Sequence, residues 1–184
     1  MNLAVFISGG GSNFKALIDA QDEGYFKSQI KYVVSNKDAA GLKYARENNI
    51  AYLISKYEDE IIEKLKDHNI ELIVLAGYLV KISKKILDEF TVINIHPSLL
   101  PKYSGKGFYG MNVHNAVFEN KEKISGVTVH FVNENLDEGD IILQKEVDIS
   151  NCKNAEEISK EVLKVEHQTL KEVIKKLEEE QWEH

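Results

Sequence analysis

The chain has 184 residues, enough to bury about two-thirds of its unfolded surface and few enough for a single domain, 1–184. Its 30 acidic residues against 23 basic ones, net charge −7, argue against a general nucleic-acid or membrane-surface binder. Cys152 is the one cysteine, which excludes an intramolecular disulfide framework and a thiolate metal cluster, and no stretch is apolar for the ~20 residues that a membrane helix needs.

Leu3–Ile7 predicts a buried strand and Ser12–Asp22 a helix. Tyr32–Ser35 predicts a second strand, and a helix follows around Ala40–Asn48. Ala51–Ile54 reads as a third strand, Tyr57–Asp67 as a helix with Ile61, Ile62 and Leu65 on one face, and Leu72–Ala76 as a strongly apolar fourth strand. Ser83–Phe90 predicts a helix before a fifth strand that ends at Asn94. Continuous apolar strands joined by helical crossovers indicate an α/β fold with a doubly wound, mostly parallel sheet covered on both faces. After Pro101 the pattern changes. Lys102–Gly110 reads as a loop with three glycines, Asn112–Glu119 as a helix, and Val127–Val132 and Ile141–Val147 as two further strands. A closing helix is expected from about Ala155 to Glu180, with Ile158, Val162, Val165, Thr169, Val173 and Leu177 as its apolar stripe and a solvated, charge-rich end.

Three constellations carry chemistry. Ser8-Gly9-Gly10-Gly11-Ser12-Asn13 joins the first strand to the first helix, where glycine backbone N–H groups and a helix N-terminus favour an anion. It lacks the Gly-Lys-Ser/Thr of a Walker A loop, and Phe14 stands where the dinucleotide fingerprint needs its third glycine. A plain phosphate therefore fits better than a nucleotide. A tight turn capped by Ser12 or Asn13 accounts for the same residues equally well. The second constellation is Asn94-Ile95-His96-Pro97, in which an amide and an imidazole two residues apart leave a strand on the same face. The third is Leu136-Asp137-Glu138-Gly139, in a loop from which the Asp137 carboxylate could reach His96.

The other polar candidates are weaker. His130 alternates with Thr128 and Val132 on one strand face, where a structural role is at least as good a reading as a chemical one. Glu166 stands at the edge of the apolar stripe beside His167; a carboxylate there needs a ligand or a salt-bridge partner. His68, His114 and His184 read as surface residues.

Together, Val5–Asn13, Asn94–Pro101 and Gly126–Val132 leading to Leu136–Gly139 resemble the phosphoribosylglycinamide formyltransferase family, folate-dependent enzymes of purine synthesis. The resemblance runs from Met1 to about Leu177. The middle motif is shared by other enzymes that use 10-formyltetrahydrofolate; the Gly-Ser-Asn opening and the Glu166-His167 pair narrow it. The resemblance implies a formyltransferase fold with a Rossmann-like N-terminal half and a site beyond the carboxyl ends of the strands. It implies catalytic roles for Asn94, His96 and Asp137, binding of a phosphoribosyl substrate by Gly11, Ser12, Asn13 and Glu166, and binding of folate by Leu79, Val80, Lys81, Ile82 and Asn94. Many members also carry a folate-binding Arg before the third crossover helix; the nearest residue here is Lys56. Members often have Gly-Pro where this chain has Gly139-Asp140, and many continue into a further strand past the last helix.

The expected reaction is transfer of a formyl group from 10-formyltetrahydrofolate, a co-substrate, to the amine of 5'-phosphoribosylglycinamide, without a metal. The expected partners are these small molecules, with no nucleic acid or membrane, in a cytoplasmic monomer or homodimer. A formyltetrahydrofolate hydrolase would share the motifs but usually carries an added N-terminal regulatory domain, for which a first strand at Leu3 leaves no room. Formyl transfer to methionyl-tRNA would need a basic RNA-binding surface. A non-catalytic phosphate-ligand sensor would keep the glycine loop without needing Asn94, His96 and Asp137 together.

Overall fold

A computed structural model describes residues 1–181. Seven strands form one sheet in the order β3-β2-β1-β4-β5-β6-β7. These are β1 (Asn2–Ile7), β2 (Gln29–Ser35), β3 (Ala51–Ile54), β4 (Leu72–Leu75), β5 (Thr91–His96), β6 (Ile124–Phe131) and β7 (Ile141–Asp148). The first five run parallel, while β6 and β7 are each antiparallel to the strand before. The helices are α1 (Ser12–Asp22), α2 (Leu42–Glu47), α3 (Glu58–Asp67), α4 (Lys84–Leu87), α5 (Met111–Glu119) and α6 (Ala155–Gln181).

Period-two alternation along β1 divides the core between the two sheet faces. Leu3, Val5 and Ile7 pack with Phe14 and Leu17 of α1 and with Leu170, Val173 and Ile174 of α6. Ala4 and Phe6 pack with Ile61 and Leu65 of α3 and with Ile86 of α4. Both faces are covered, as the continuous apolar strands require. The chain steps from β1 outward to β2 and β3, then returns to place β4 on the other side of β1. That reversal opens a crevice beyond the carboxyl ends of β1 and β4, where open α/β sheets bind ligands.

Several boundaries differ from expectation. β5 continues to His96 because β6 pairs with it on the side away from β4, setting Asn94 opposite His130 and His96 opposite Thr128. β6 begins at Ile124 instead of Val127, since β7 supplies a partner along its whole length. α4 is a four-residue turn that buries only Ile86. His114 is not a surface residue: it is 5% exposed on the inner side of α5, and burial, followed by the charge of nearby His96, pushes its pKa down to about 4. His68 is half-buried against the Tyr32 ring, and His184 lies outside the described residues. The end of α6 is not wholly solvated either. Glu178 is buried and accepts hydrogen bonds from the Lys27 and Ser28 N–H groups and the Ser28 hydroxyl. Burial alone would raise its pKa, but these bonds outweigh it and hold the carboxyl below its ordinary value.

Candidate active site

Asn94 and His96 leave the end of β5 on one face and line a cleft of about 320 Å3, together with Asp137 and His130. The antiparallel pairing of β6 brings His130 across from Asn94, and the Asn94 amide Nδ2 lies 3.2 Å from His130 Nε2. His130 Nδ1 is 2.8 Å from the Phe131 carbonyl oxygen. A carbonyl only accepts, so Nδ1 carries the proton and Nε2 is left to accept from the amide. Burial lowers the His130 pKa, against opposing effects of the Phe131 carbonyl and Asp137, which suits this neutral form.

Asp137 sits in the left-handed region, φ 56°, in the turn between β6 and β7. Its Oδ1 is 3.7 Å from His96 Nδ1 and 3.8 Å from His130 Nε2, and its Oδ2 accepts the Gly105 N–H at 2.9 Å. On the far side of the His96 ring, Nε2 lies 2.8 Å from the Tyr103 carbonyl oxygen. The turn itself is fastened to β6. Phe131 N–H donates to the Asp140 carbonyl at 2.9 Å, and a Cβ on Gly139 would fall 1.7 Å from the Phe131 oxygen. No side chain larger than hydrogen fits there.

The cleft's apolar wall is Leu79, Val80, Lys81 and Ile82, which follow β4, with Phe108, Tyr109 and Leu136 opposite. Leu79, Val80, Tyr109 and Leu136 are exposed, an arrangement that can take a flat ring system. Ser8 ties this wall to β1: its Oγ accepts the Leu79 N–H at 2.9 Å and donates to Asn36 Oδ1 at 2.6 Å. Lys56 is exposed and is not part of the cleft's lining.

The glycine loop forms a second polar cluster. Neither Ser12 nor Asn13 caps α1; the N-cap is Gly11, at φ 72° and with no side-chain bond to the helix. Side-chain caps are absent because the loop enters the helix through a left-handed residue packed on Gly41, where a Cβ on Gly11 would come 2.8 Å from the Gly41 Cα. Gly41 N–H also donates to the Gly9 carbonyl at 2.9 Å. Asn13 Oδ1 is buried without a partner. Near it is Glu166, 8% exposed, whose carboxyl is pushed up to about 7 by burial, with the Asn13 side chain acting in the opposite sense. The neighbour of Glu166 is thus an amide and not the base of a salt bridge. Burial also lowers the His167 pKa, and its Nε2 is buried and unpartnered.

Among the described residues no group of three or more His, Cys, Asp and Glu side chains is placed to hold a metal, and no helix is long and apolar enough to cross a membrane. The residues that motif reasoning missed are the backbone partners, Tyr103 and Gly105, and the lining residues Phe108, Asn133 and Asn135. The three glycines of Lys102–Gly110 marked a loop, but a backbone contact leaves no trace in residue type.

The family model described as "Formyl transferase" matches residues 1–174. The chain is 40% identical over 190 residues to the chloroplastic phosphoribosylglycinamide formyltransferase of Vigna unguiculata, a match that takes in 97% of this chain but 61% of that protein. It is 37% identical to the phosphoribosylglycinamide formyltransferase of Escherichia coli K12, over 91% of this chain and 82% of that one. The crystal structure of glycinamide ribonucleotide transformylase 1 from Geobacillus kaustophilus superposes with a TM-score of 0.88 at 32% identity, covering 96% of this chain and 97% of that chain. On sequence and fold alike, the chain belongs to the formyl transferase family, and the relatives it is similar to within that family are phosphoribosylglycinamide formyltransferases.

Proposed function

We propose that this chain transfers the formyl group of 10-formyltetrahydrofolate to the amine of 5'-phosphoribosylglycinamide. The observation that carries the reading is the convergence of Asn94, His96 and Asp137, from two separate stretches of sequence, on one cleft with an exposed apolar wall. In this reading the wall Leu79–Ile82 takes the folate ring, Gly11, Ser12 and Asn13 take the phosphate through α1's free N–H groups, and Glu166 accepts from ribose hydroxyls. Lys56 has no part in it.

The residue chemistry follows. The amine nitrogen bonds to the formyl carbon, whose oxygen gains negative charge before the bond to the folate nitrogen breaks. Asn94, with one amide proton held by His130, has a second to donate to that oxygen. Protonated His96 is the other donor; loss of one such donor costs on the order of 100–1,000-fold in rate. Asp137 stabilises the imidazolium, accepts the proton released by the amine, directly or through water, and returns it to the folate nitrogen as that nitrogen leaves. No acyl-enzyme nucleophile is needed.

The test is consumption of 10-formyltetrahydrofolate with and without phosphoribosylglycinamide. Amine-dependent consumption is expected. Amine-independent release of formate would assign a hydrolase instead, and no consumption at all would leave a sensor.

A further inference from the structure

The loop between β5 and α5 holds two of the cleft's polar side chains, His96 and Asp137. Its Tyr103 carbonyl accepts from His96 Nε2 at 2.8 Å, and its Gly105 N–H donates to Asp137 Oδ2 at 2.9 Å. Tyr103 reaches that position at φ 53°, a left-handed conformation in which a bulky L-residue persists only when its surroundings hold it. Two contacts do so. The Tyr103 hydroxyl donates to Glu122 Oε1 at 3.0 Å, and its ring meets the Phe108 ring edge-on at 6.1 Å between centroids. Lys102 reaches the same Glu122 oxygen at 3.4 Å. Glu122 belongs to the turn between α5 and β6, whose backbone is closed by its N–H to the Val117 carbonyl. A residue outside the cleft thus fixes a carbonyl that faces the cleft's imidazole.

We propose that Tyr103 is a positioning residue, and that its hydroxyl bond to Glu122 holds the neutral His96 proton on Nε2, leaving Nδ1 open to Asp137 and the cleft. A neutral imidazole carries one proton on either nitrogen, and the partner of one nitrogen decides the state of the other. With the Tyr103 carbonyl in place, Nε2 must be the donor. With that carbonyl displaced, the Asp137 carboxylate, 3.7 Å from Nδ1, attracts the proton to the other side. The inference rests on the reading of His96 as a donor to the formyl oxygen through Nδ1 once protonated, but the tautomer of the neutral ring is observable without substrate.

The experiment compares wild type with Tyr103→Phe, Glu122→Ala and Glu122→Gln by nitrogen-15 NMR of the His96 ring, with kcat and both KM values. Phe keeps the ring and the Phe108 contact but loses the hydroxyl, and Gln keeps an acceptor for that hydroxyl. The expected result is a shift of the proton from Nε2 towards Nδ1 in Tyr103→Phe and Glu122→Ala, with kcat down about tenfold and both KM values within about twofold, and near-wild-type behaviour in Glu122→Gln. Well-dispersed spectra check that each variant is folded; if one is not, the other carries the comparison. An unmoved tautomer, or a moved tautomer with unchanged kcat, overturns the proposal. Failure of wild type to transfer formyl at all would instead count against the formyl-transfer reading, and the tautomer comparison would still test the hold on the ring.

Discussion

The Asn94 amide nitrogen lies 3.2 Å from His130 Nε2, so a buried, neutral imidazole decides which way the amide faces. An amide turned over would present its carbonyl oxygen to a developing oxyanion, which is repulsive where donation is needed. His130→Ala removes the acceptor that prevents the flip. Turnover is expected to fall by roughly 10–100-fold, with KM for the phosphorylated amine little changed, in steady-state kinetics with both substrates varied.

Asn94→Ala, His96→Ala and Asp137→Ala are each expected to lower kcat by about 100-fold or more while leaving thermal melting cooperative. Asp137→Asn is the sharper variant, because it keeps the shape and loses the charge beside His96. Turnover close to wild type in Asp137→Asn would remove the carboxylate from the mechanism.

Glu166 links pH to stability with a definite sign. Its carboxyl titrates at about 7 in the fold against an ordinary value of 4.5, so between these values the folded chain holds a proton that the unfolded chain has released. Stability is therefore lost as pH rises through this window, by up to roughly 3 kcal/mol once Glu166 is ionised. Glu166→Gln should melt higher than wild type at about pH 8.5 and lose most of that advantage near pH 5. Paired thermal melts across this range check the sign.

His114 works in the opposite sense on the acid side. Its pKa of about 4 lies below the ordinary 6.5, so the unfolded chain takes up a proton that the folded chain refuses. The stability this contributes is present above pH 6.5 and is lost as pH falls through about 4, to a total of roughly 3 kcal/mol. His114→Gln, which stays neutral, should shift the midpoint of acid unfolding to lower pH. The readout is circular dichroism against pH.

The glycine loop tests as two unlike positions. Gly11→Ala meets the Gly41 backbone at 2.8 Å and keeps a left-handed φ, whereas a Cβ on Gly9 meets nothing within 4 Å. Gly11→Ala is expected to cost about 1–3 kcal/mol in urea unfolding and to raise KM for the phosphorylated substrate, and Gly9→Ala to do neither.

Much of this architecture was legible in the sequence because it rests on periodicity. Continuous apolar strands such as Leu72–Leu75 and the stripe of α6 pointed to a covered parallel sheet, and Asn94 and His96 shared a face by the simple rule of alternation. What stayed hidden depends on tertiary register. His114 read as a surface histidine because its burial comes from what α5 packs against, and Glu178 read as one more acid in a charged tail because its three donors lie some 150 residues away in the chain. His130 could not be paired with Asn94 until β6 was known to run antiparallel beside β5. Of the two readings of the glycine loop, the cap by Ser12 or Asn13 is not the one formed, and the reason is tertiary: Gly11 packs on Gly41, which is remote in sequence.

The turn that carries Asp137 is stitched to the strand that carries His130, by the Phe131–Asp140 bond and by the near contact of Gly139 with the Phe131 oxygen. Acid and buried imidazole therefore ride on a common chassis, with little freedom to part company. The loop from Lys102 to Gly110 instead meets the site through two backbone groups, the Tyr103 carbonyl on His96 and the Gly105 N–H on Asp137, and is tied from outside to Glu122. Swinging it aside would loosen the hold on His96 and uncover the acid, yet move neither member of the hairpin. The cleft is thus assembled from one jaw stitched backbone to backbone and another pinned by side chains at Glu122.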